Sequence, residues 1–301
     1  MNDLHTLLAE LKERWTPQPD KPEETPEVAI RALWFAAAND PRGIARVEGS
    51  LPELDAAGIA RLRTMVGQRA AGVPLAHLTG RQSFFGIELL AGPGALIPRL
   101  ETQALVTGAL ERVRDVVKAQ GKALVIDLCT GAGNVALALA HSEPAATVIG
   151  ADLSEEAVEL AGRNARYLGL EDRVSFRQGD LYAPFEEARF QGSVDVITCN
   201  PPYISSAKVP LMSKEIAEHE PSLAFDGGPF GVNILMRLIA QAPKFLTPNG
   251  WLCFEVGLGQ GDGVRTRLER SGLYTDFQAV KDSKGDVRAV VVRRLPPESQ
   301  S

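Results

Sequence analysis

Cysteine is scarce in this chain. Its three residues, Cys129, Cys199 and Cys253, lie far apart inside apolar runs, with no spacing that suits a metal. An odd count in strand-like surroundings argues against a disulfide framework and fits reduced core thiols. Also lacking are a lysine- or arginine-rich tail, an internal repeat and a low-complexity tract. The formal net charge is −6, so there is no global attraction to a polyanion, and direct nucleic-acid binding is not expected. No apolar run approaches the roughly 20 residues that span a bilayer. Met1-Asn2-Asp3-Leu4-His5 has neither the basic start nor the apolar core of a secretory signal. These absences predict a cytoplasmic protein with no membrane partner and no metal site. What remains is ordinary globular composition, 301 residues with 45% hydrophobic and 23% charged, enough for two domains.

Residues 1–80 read as a helical domain. Leu4, Leu7, Leu8 and Leu11 form a helical stripe, and the proline-rich segment Pro17 to Pro26 ends it. Thr25-Pro26-Glu27 looks like an N-cap with proline at the first helical position, leading into Val28 to Ala38. Leu54 to Ala71 gives another helix, stopped by Gly72-Val73-Pro74. Residues 81–98 change character. Ser83 to Leu90 reads as a strand, Gly92-Pro93-Gly94 as a turn, and a helix starts near Glu101, so this stretch is predicted to be a β-hairpin linker. Residues 99–301 alternate strand and helix. The strand candidates are Ala123 to Leu128, Thr147 to Ala151, Val174 to Gln178, Val194 to Cys199, Trp251 to Val256 and Ala289 to Arg293. The helical stretches are Asn134 to Ala140, Glu155 to Leu168, Val232 to Phe245 and Gly261 to Ser271. The alternation predicts a doubly wound α/β sheet of Rossmann-like type.

The chemistry is expected at the strand ends. Asn200-Pro201-Pro202-Tyr203 follows the apolar run Val194 to Cys199, and paired prolines end a strand because they cannot donate to its ladder. A polar, stiff corner at the carboxyl edge of a strand is where open α/β sheets place ligand crevices. Asp127-Leu128-Cys129-Thr130-Gly131-Ala132-Gly133 follows the first strand and opens a helix, and its small residues let the backbone turn tightly against a ligand. It lacks the three glycines of the dinucleotide fingerprint. Asp127 suits a ligand carrying positive charge. Asp152, at the end of the second strand, can bind both hydroxyls of a ribose, and it also fits an N-cap ahead of Ser154-Glu155-Glu156. Asp180-Leu181 ends the third strand, where the carboxylate can accept from an adenine amino group. Four successive strand ends carrying Asp127, Asp152, Asp180 and Asn200 are the layout of an S-adenosylmethionine site.

The segments Asp127 to Gly133 and Asn200 to Tyr203 resemble the first and fourth motifs of class I methyltransferases that act on planar nitrogen. Leu96 to Thr102, Glu220 to Gly228 and Lys281 to Gly285 narrow the resemblance to the protein-glutamine methyltransferase family, over about residues 65–293. It departs from the family's pattern at Cys129, where glycine is usual, at Leu100, where proline is usual, and at Leu181, which replaces a frequent aromatic. The resemblance implies a Rossmann-like class I methyltransferase domain. It implies S-adenosyl-L-methionine as cofactor, with S-adenosyl-L-homocysteine as product, bound by Asp127, Cys129, Thr130, Gly131, Ala132, Gly133, Asp152, Asp180, Leu181 and Asn200. It implies that Asn200 Oδ1 and the Pro201 carbonyl accept from the NH2 of a glutamine while Tyr203 stacks on the amide. Asn200, Pro201 and Tyr203 are thus the catalytic residues, and Asn200, Pro201, Pro202 and Tyr203 hold the substrate. The substrate it implies is a peptide chain release factor, methylated at its Gly-Gly-Gln glutamine, and the helical domain is expected to grip that protein.

Other readings use the same residues. A glutamine of ribosomal protein uL3, another peptide or small-molecule amide, or an exocyclic amine of a nucleic acid would suit the corner. A non-catalytic adenosyl-ligand binder would use the fold for regulation or assembly, and the intact Asn200 to Tyr203 argues against it. His219, Glu220 and Arg99 are left between a solvated loop or structural ion pair and an approach to the site, with the solvated loop preferred for His219 and Glu220.

Overall fold

In the computed structural model, Thr25 and Asp55 begin two of the expected helices. Thr25 Oγ1 accepts from Val28 N at 3.3 Å, and Asp55 Oδ1 accepts from Gly58 N at 2.6 Å. Both satisfy backbone donors that a helix start leaves without partners. The structure describes residues 2–18, 20–229, 231–282 and 284–296. Pro19 of the proline-rich segment and Ser283 of Lys281 to Gly285 lie outside them. The chain divides into two compact units, Met1–Leu100 with Met212–Pro221, and Glu101–Leu211 with Ser222–Ser301.

The first unit contains α1 (Asn2–Arg14), α2 (Pro26–Ala37), α3 (Ala56–Ala70), α4 (Leu75–Thr79), β1 (Arg81–Phe84) and β2 (Ile87–Leu90). Its core joins Leu7 and Leu11 of the predicted stripe to Ile30, Leu33, Phe35, Leu62 and Val66. Ser83 to Leu90 is two antiparallel strands, not one. Phe84 pairs with Ile87, and Phe85 and Gly86 turn between them with φ of 45° and 79°. Two successive positive φ values make the tight turn whose twist suits a hairpin. Gly92-Pro93-Gly94 is therefore not the hairpin turn.

The second unit holds α5 (Gln103–Gln120), β3 (Ala123–Leu128), α6 (Asn134–Ser142), β4 (Ala146–Asp152), α7 (Glu155–Leu168), β5 (Val174–Gln178) and β6 (Val194–Cys199). A short α8 (Lys214–His219) interrupts the alternation and belongs to the first unit. Then come α9 (Asn233–Phe245), β7 (Leu246–Glu255), α10 (Gly261–Ser271), β8 (Tyr274–Lys281) and β9 (Val287–Arg294). The sheet order is β5-β4-β3-β6-β7-β9-β8. The first five strands in that order are parallel, and β9 runs antiparallel to both β7 and β8. The predicted strands are therefore joined by one that was not expected, β8. It is an edge strand with half of its residues exposed and one buried, and its register shifts between Thr275 and Gln278. Such a strand carries little of the apolar patterning that reveals a buried one. No helix among the described residues is long and apolar enough to cross a membrane.

Chain direction across this sheet reverses between β3 and β6. From β3 the chain moves outward to β4 and β5, then returns to lay β6 on the other side. A doubly wound sheet opens a crevice at that switch point, beyond the carboxyl ends of the strands. The segments after β3 and β6 are Cys129 to Gly133 and Asn200 to Tyr203.

Candidate active site

Asp127 lies on β3 opposite Gly150 on one side and Thr198 on the other. It is 1% exposed, and its oxygens accept from Thr130 Oγ1 at 2.6 Å and Thr198 Oγ1 at 2.7 Å. Burial raises its pKa to about 6 against those hydroxyl donors. The carboxylate that the sequence set against a ligand's positive charge is thus covered by two threonines, and it anchors the loop through Thr130.

The loop turns where small residues permit it. Gly131 and Gly133 have φ of 54° and 81°, and Gly133 caps α6. A Cβ on Gly133 would stand 2.8 Å from the Phe176 ring, and one on Gly150 would stand 2.5 Å from the same ring and 2.8 Å from Thr130 Oγ1. Cys129 adopts φ 53° despite its side chain, a conformation that favours glycine. Asp152, at the end of β4, accepts from Gly131 N at 2.8 Å with one oxygen and from Ser154 N at 3.0 Å with the other. Ser154, not Asp152, supplies the N-cap of α7, accepting from Ala157 N. Burial raises the Asp152 pKa, opposed by backbone donors. Asp180 is different in kind, an exposed residue paired with Arg237 at 2.7 Å. Leu181 beside it is buried, with φ 49°.

The corner after β6 is held from three sides. Ile204 bridges to Asp226, with Ile204 N donating to Phe225 O at 3.0 Å and Gly227 N donating to Ile204 O at 2.8 Å. A Cβ on Gly227 would come within 2.5 Å of Pro202 O, and one on Gly231 within 2.3 Å of Tyr203 O, so this loop packs directly on the corner's backbone. Gln260 Nε2 donates to Tyr203 O at 3.3 Å. Gly257 leaves room for the ring, since its Cβ would lie 3.0 Å from Tyr203 Cδ2. Asn200 Nδ2 donates to Thr102 Oγ1 at 3.3 Å, and Tyr203 OH donates to Glu255 Oε1 at 3.0 Å. No described residue donates to Asn200 Oδ1 or to the Pro201 carbonyl.

Glu255 is a residue the sequence reading missed. It ends β7, is 2% exposed, and has its pKa raised by burial to about 7. The signal was present, a lone carboxylate inside the run Trp251 to Val256 at a fifth strand end. Thr198 was hidden because threonine in a strand is ordinary, and Thr102 was visible only as part of the Leu96 to Thr102 segment, without its contact to Asn200. Glu220 departs from expectation. It is no solvated loop residue but is buried in the first unit, where it pairs with Arg99 Nη2 at 2.6 Å and accepts from Ile97 N at 2.9 Å.

Residues 120–256 match the family model described as a methyltransferase domain. The release factor glutamine methyltransferase of Bradyrhizobium diazoefficiens is 39% identical over 276 residues, covering 91% of this chain and 90% of the relative. That of Moorella thermoacetica is 36% identical over 273 residues, covering 90% and 92%. Among solved structures, the hMettl16 catalytic domain in complex with a MAT2A 3′UTR hairpin superposes with a TM-score of 0.55 at 15% identity, over 77% of this chain and 84% of that one. That likeness concerns the fold. With relatives at this identity spanning nine-tenths of both chains, the chain belongs to the release factor glutamine methyltransferase family.

Proposed function

We infer that this chain transfers a methyl group from S-adenosylmethionine to the side-chain amide nitrogen of a glutamine in a peptide chain release factor, and that the transfer takes place at the Asn200–Tyr203 corner. The observation that carries the reading is the corner itself. Asn200 commits its Nδ2 to Thr102 and keeps Oδ1, next to a Pro201 carbonyl that likewise accepts from no described residue. Two neighbouring acceptors suit the two hydrogens of a primary amide.

The residues after β3 and β4 fit the donor. The Cys129 to Gly133 turn admits close approach of a ligand to its backbone, and Asp152 keeps lone pairs beyond its two backbone bonds for ribose hydroxyls. Asp180 and Leu181 flank the place expected for an adenine. Asp127 acts one layer beneath, fixing Thr130 and Thr198. The bound donor supplies an electrophilic methyl on a sulfonium.

An amide nitrogen is a weak nucleophile because its lone pair is delocalised into the carbonyl, so orientation supplies much of the rate. Asn200 Oδ1 and the Pro201 carbonyl hold the NH2, and both acceptors strengthen as positive charge develops on nitrogen. Tyr203, kept in place by Glu255 and Gly257, lies on the amide plane. The prolines restrict the carbonyl direction. The proton leaves after nitrogen becomes cationic, so no base is required before transfer. The helical unit collects binding energy from a protein substrate, which a free amino acid cannot offer.

The test is methyl transfer from labelled S-adenosylmethionine to a release factor, ribosomal protein uL3, DNA and free glutamine, with the modified residue located by mass spectrometry. The expected product is the release factor modified at its Gly-Gly-Gln glutamine. Comparable rates on free glutamine, or incorporation only into DNA, would overturn the reading. Asn200→Ala should abolish transfer while cofactor affinity stays within a few-fold.

A further inference from the structure

The Lys281 to Gly285 segment makes the turn between β8 and β9. Asp282 Oδ1 accepts from Lys284 N at 2.9 Å and from Asp286 N at 3.1 Å. Gly285 N donates to Asp282 O at 3.0 Å, and Gly285 takes φ 87°. An aspartate accepting from its own turn and a left-handed glycine fix the length of this connection. β9 is thereby delivered with Val287 opposite Lys281. The next residue, Arg288, is buried, and its carbonyl accepts from Val256 N at 2.9 Å, one rung beyond the Glu255–Ala289 pair. Arg288 therefore stands level with the carboxyl end of β7. Its Nη2 lies 3.0 Å from Glu101 Oε1, and neither residue has another ion-pair partner among the described residues.

A buried cation holds its counter-ion closely, because the guanidinium has left water and needs its charge met. Glu101 lies in the short 3-10 turn Leu100–Thr102, which leads directly into α5. The body of α5 is seated by packing. A Cβ on Gly108 would come 2.9 Å from Val280 Cγ2 and 3.0 Å from Val291 Cγ2, so the helix backbone lies against β8 and β9 there. That contact is more than one turn into the helix, and it leaves the start of α5 to be placed by Glu101. The residue after Glu101 is Thr102, whose Oγ1 receives Asn200 Nδ2 at 3.3 Å. A bond at the long end of the usual range is lost on a small shift of the turn. Among the described residues Thr102 is the one bonded to the Asn200 side chain, and without it Oδ1 loses its fixed direction.

We propose that Arg288 is a positioning residue for methyl transfer: it holds Glu101, Glu101 fixes the turn that carries Thr102, and Thr102 aims the Asn200 amide at the acceptor nitrogen. The inference rests on the glutamine-methylation reading above. Its further content is that a cation on β9, touching no substrate atom, decides how well the corner is aligned. What Glu101 needs is a positive charge within reach, which lysine at 288 also supplies. Methionine at 288 keeps much of the length and removes the attraction.

The experiment measures kcat and KM on a release factor at saturating cofactor, per folded enzyme. The proteins are wild type, Arg288→Met, Arg288→Lys, Thr102→Val and the Arg288→Met/Thr102→Val double variant. Arg288→Met should lower kcat by about 10- to 100-fold, the scale of a misplacement of about 1 Å at a reacting centre. Its release-factor KM should stay within about threefold, because no substrate contact has been removed. Arg288→Lys should return kcat to within about fivefold of wild type. The double variant should be no slower than the slower single variant, since both changes break one chain of contacts. Losses that multiply in the double variant overturn the proposal. So does an Arg288→Met kcat within about twofold of wild type, a loss confined to KM, or an Arg288→Lys variant as slow as Arg288→Met. Should Arg288→Met fail to fold, a Thr102→Val kcat equal to wild type overturns it alone. A wild-type enzyme that methylates no glutamine removes the underlying reading, and this inference with it.

Discussion

The two compact units bury charge in different ways. In the helical unit Arg69, fully buried, pairs with Glu24 at 3.0 Å and Glu215 at 2.7 Å, and Lys21 pairs with Glu215 at 2.8 Å. The Arg69 guanidinium also lies 4.2 Å from the centre of the Trp15 ring. Burial pushes both carboxylates up; at Glu215 Lys21 and Arg69 outweigh it and the pKa falls below the usual range, whereas at Glu24 burial prevails. In the sheet unit, Asp127 accepts from two threonine hydroxyls and Glu255 from the Tyr203 hydroxyl. Burial wins at both, taking them to about 6 and about 7. Hydroxyl donors satisfy a carboxylate's hydrogen bonds without neutralising its charge. The helical unit uses buried charge to hold shape. The sheet unit uses it to orient the hydroxyls around the corner.

The largest effect is expected at the Arg69 network. Arg69→Met takes from Glu24 its ion-pair partner and leaves Lys21 as the one cation of the network for both carboxylates, and it should destabilise the protein by about 3–5 kcal/mol in urea unfolding. Cofactor affinity of the folded fraction should hold. Next in size is Asp152→Ala, which removes the acceptor of Gly131 N and the proposed ribose contacts. Calorimetry should find S-adenosylmethionine binding weakened by on the order of 2–4 kcal/mol. Unchanged affinity would place Asp152 outside the site.

Titration sharpens the contrast. Asp127 has its pKa raised from 3.8 to about 6 in the folded state, so it favours folding most fully below pH 3.8 and loses that contribution as pH rises through about 6. At about 1.4 kcal/mol per pH unit, the whole effect is at most about 3 kcal/mol. Asp127→Asn should therefore gain stability relative to wild type between pH 4 and 7. An unchanged difference across that range would contradict the assignment. The smallest effect is steric. Gly150→Ala places a Cβ against Phe176 and Thr130 and should lower stability by about 1–3 kcal/mol, read from thermal melting.

Much of the sheet unit was legible because parallel strands are buried on both faces and read as apolar runs. Strand ends were then visible as Asp127, Asp152 and the Asn200 corner. The same rule applied to Phe254-Glu255 would have exposed Glu255, but that run was absorbed whole into a strand. β8 escaped because its alternation is weak and Asp276, at φ 53°, interrupts it. Phe85-Gly86 was missed because two aromatics in a row look like strand, although Gly86 is the residue that allows the turn. Glu215 and Glu220 were opaque for another reason. Their partners Arg69 and Arg99 lie 146 and 121 residues away, and no local pattern announces an ion pair at that separation.

That separation bears on the order in which the chain can fold during synthesis. Domains emerging from a ribosome tend to fold as units, N-terminal part first. Here the helical unit is discontinuous, since Met212–Pro221 completes it after most of the sheet has been made. A nascent chain that has emerged through Leu100 can pair Arg69 with Glu24 and Arg99 with Asp20, but lacks Glu215 and Glu220. The N-terminal unit stays incomplete, two of its buried carboxylates still to come, until translation passes residue 220.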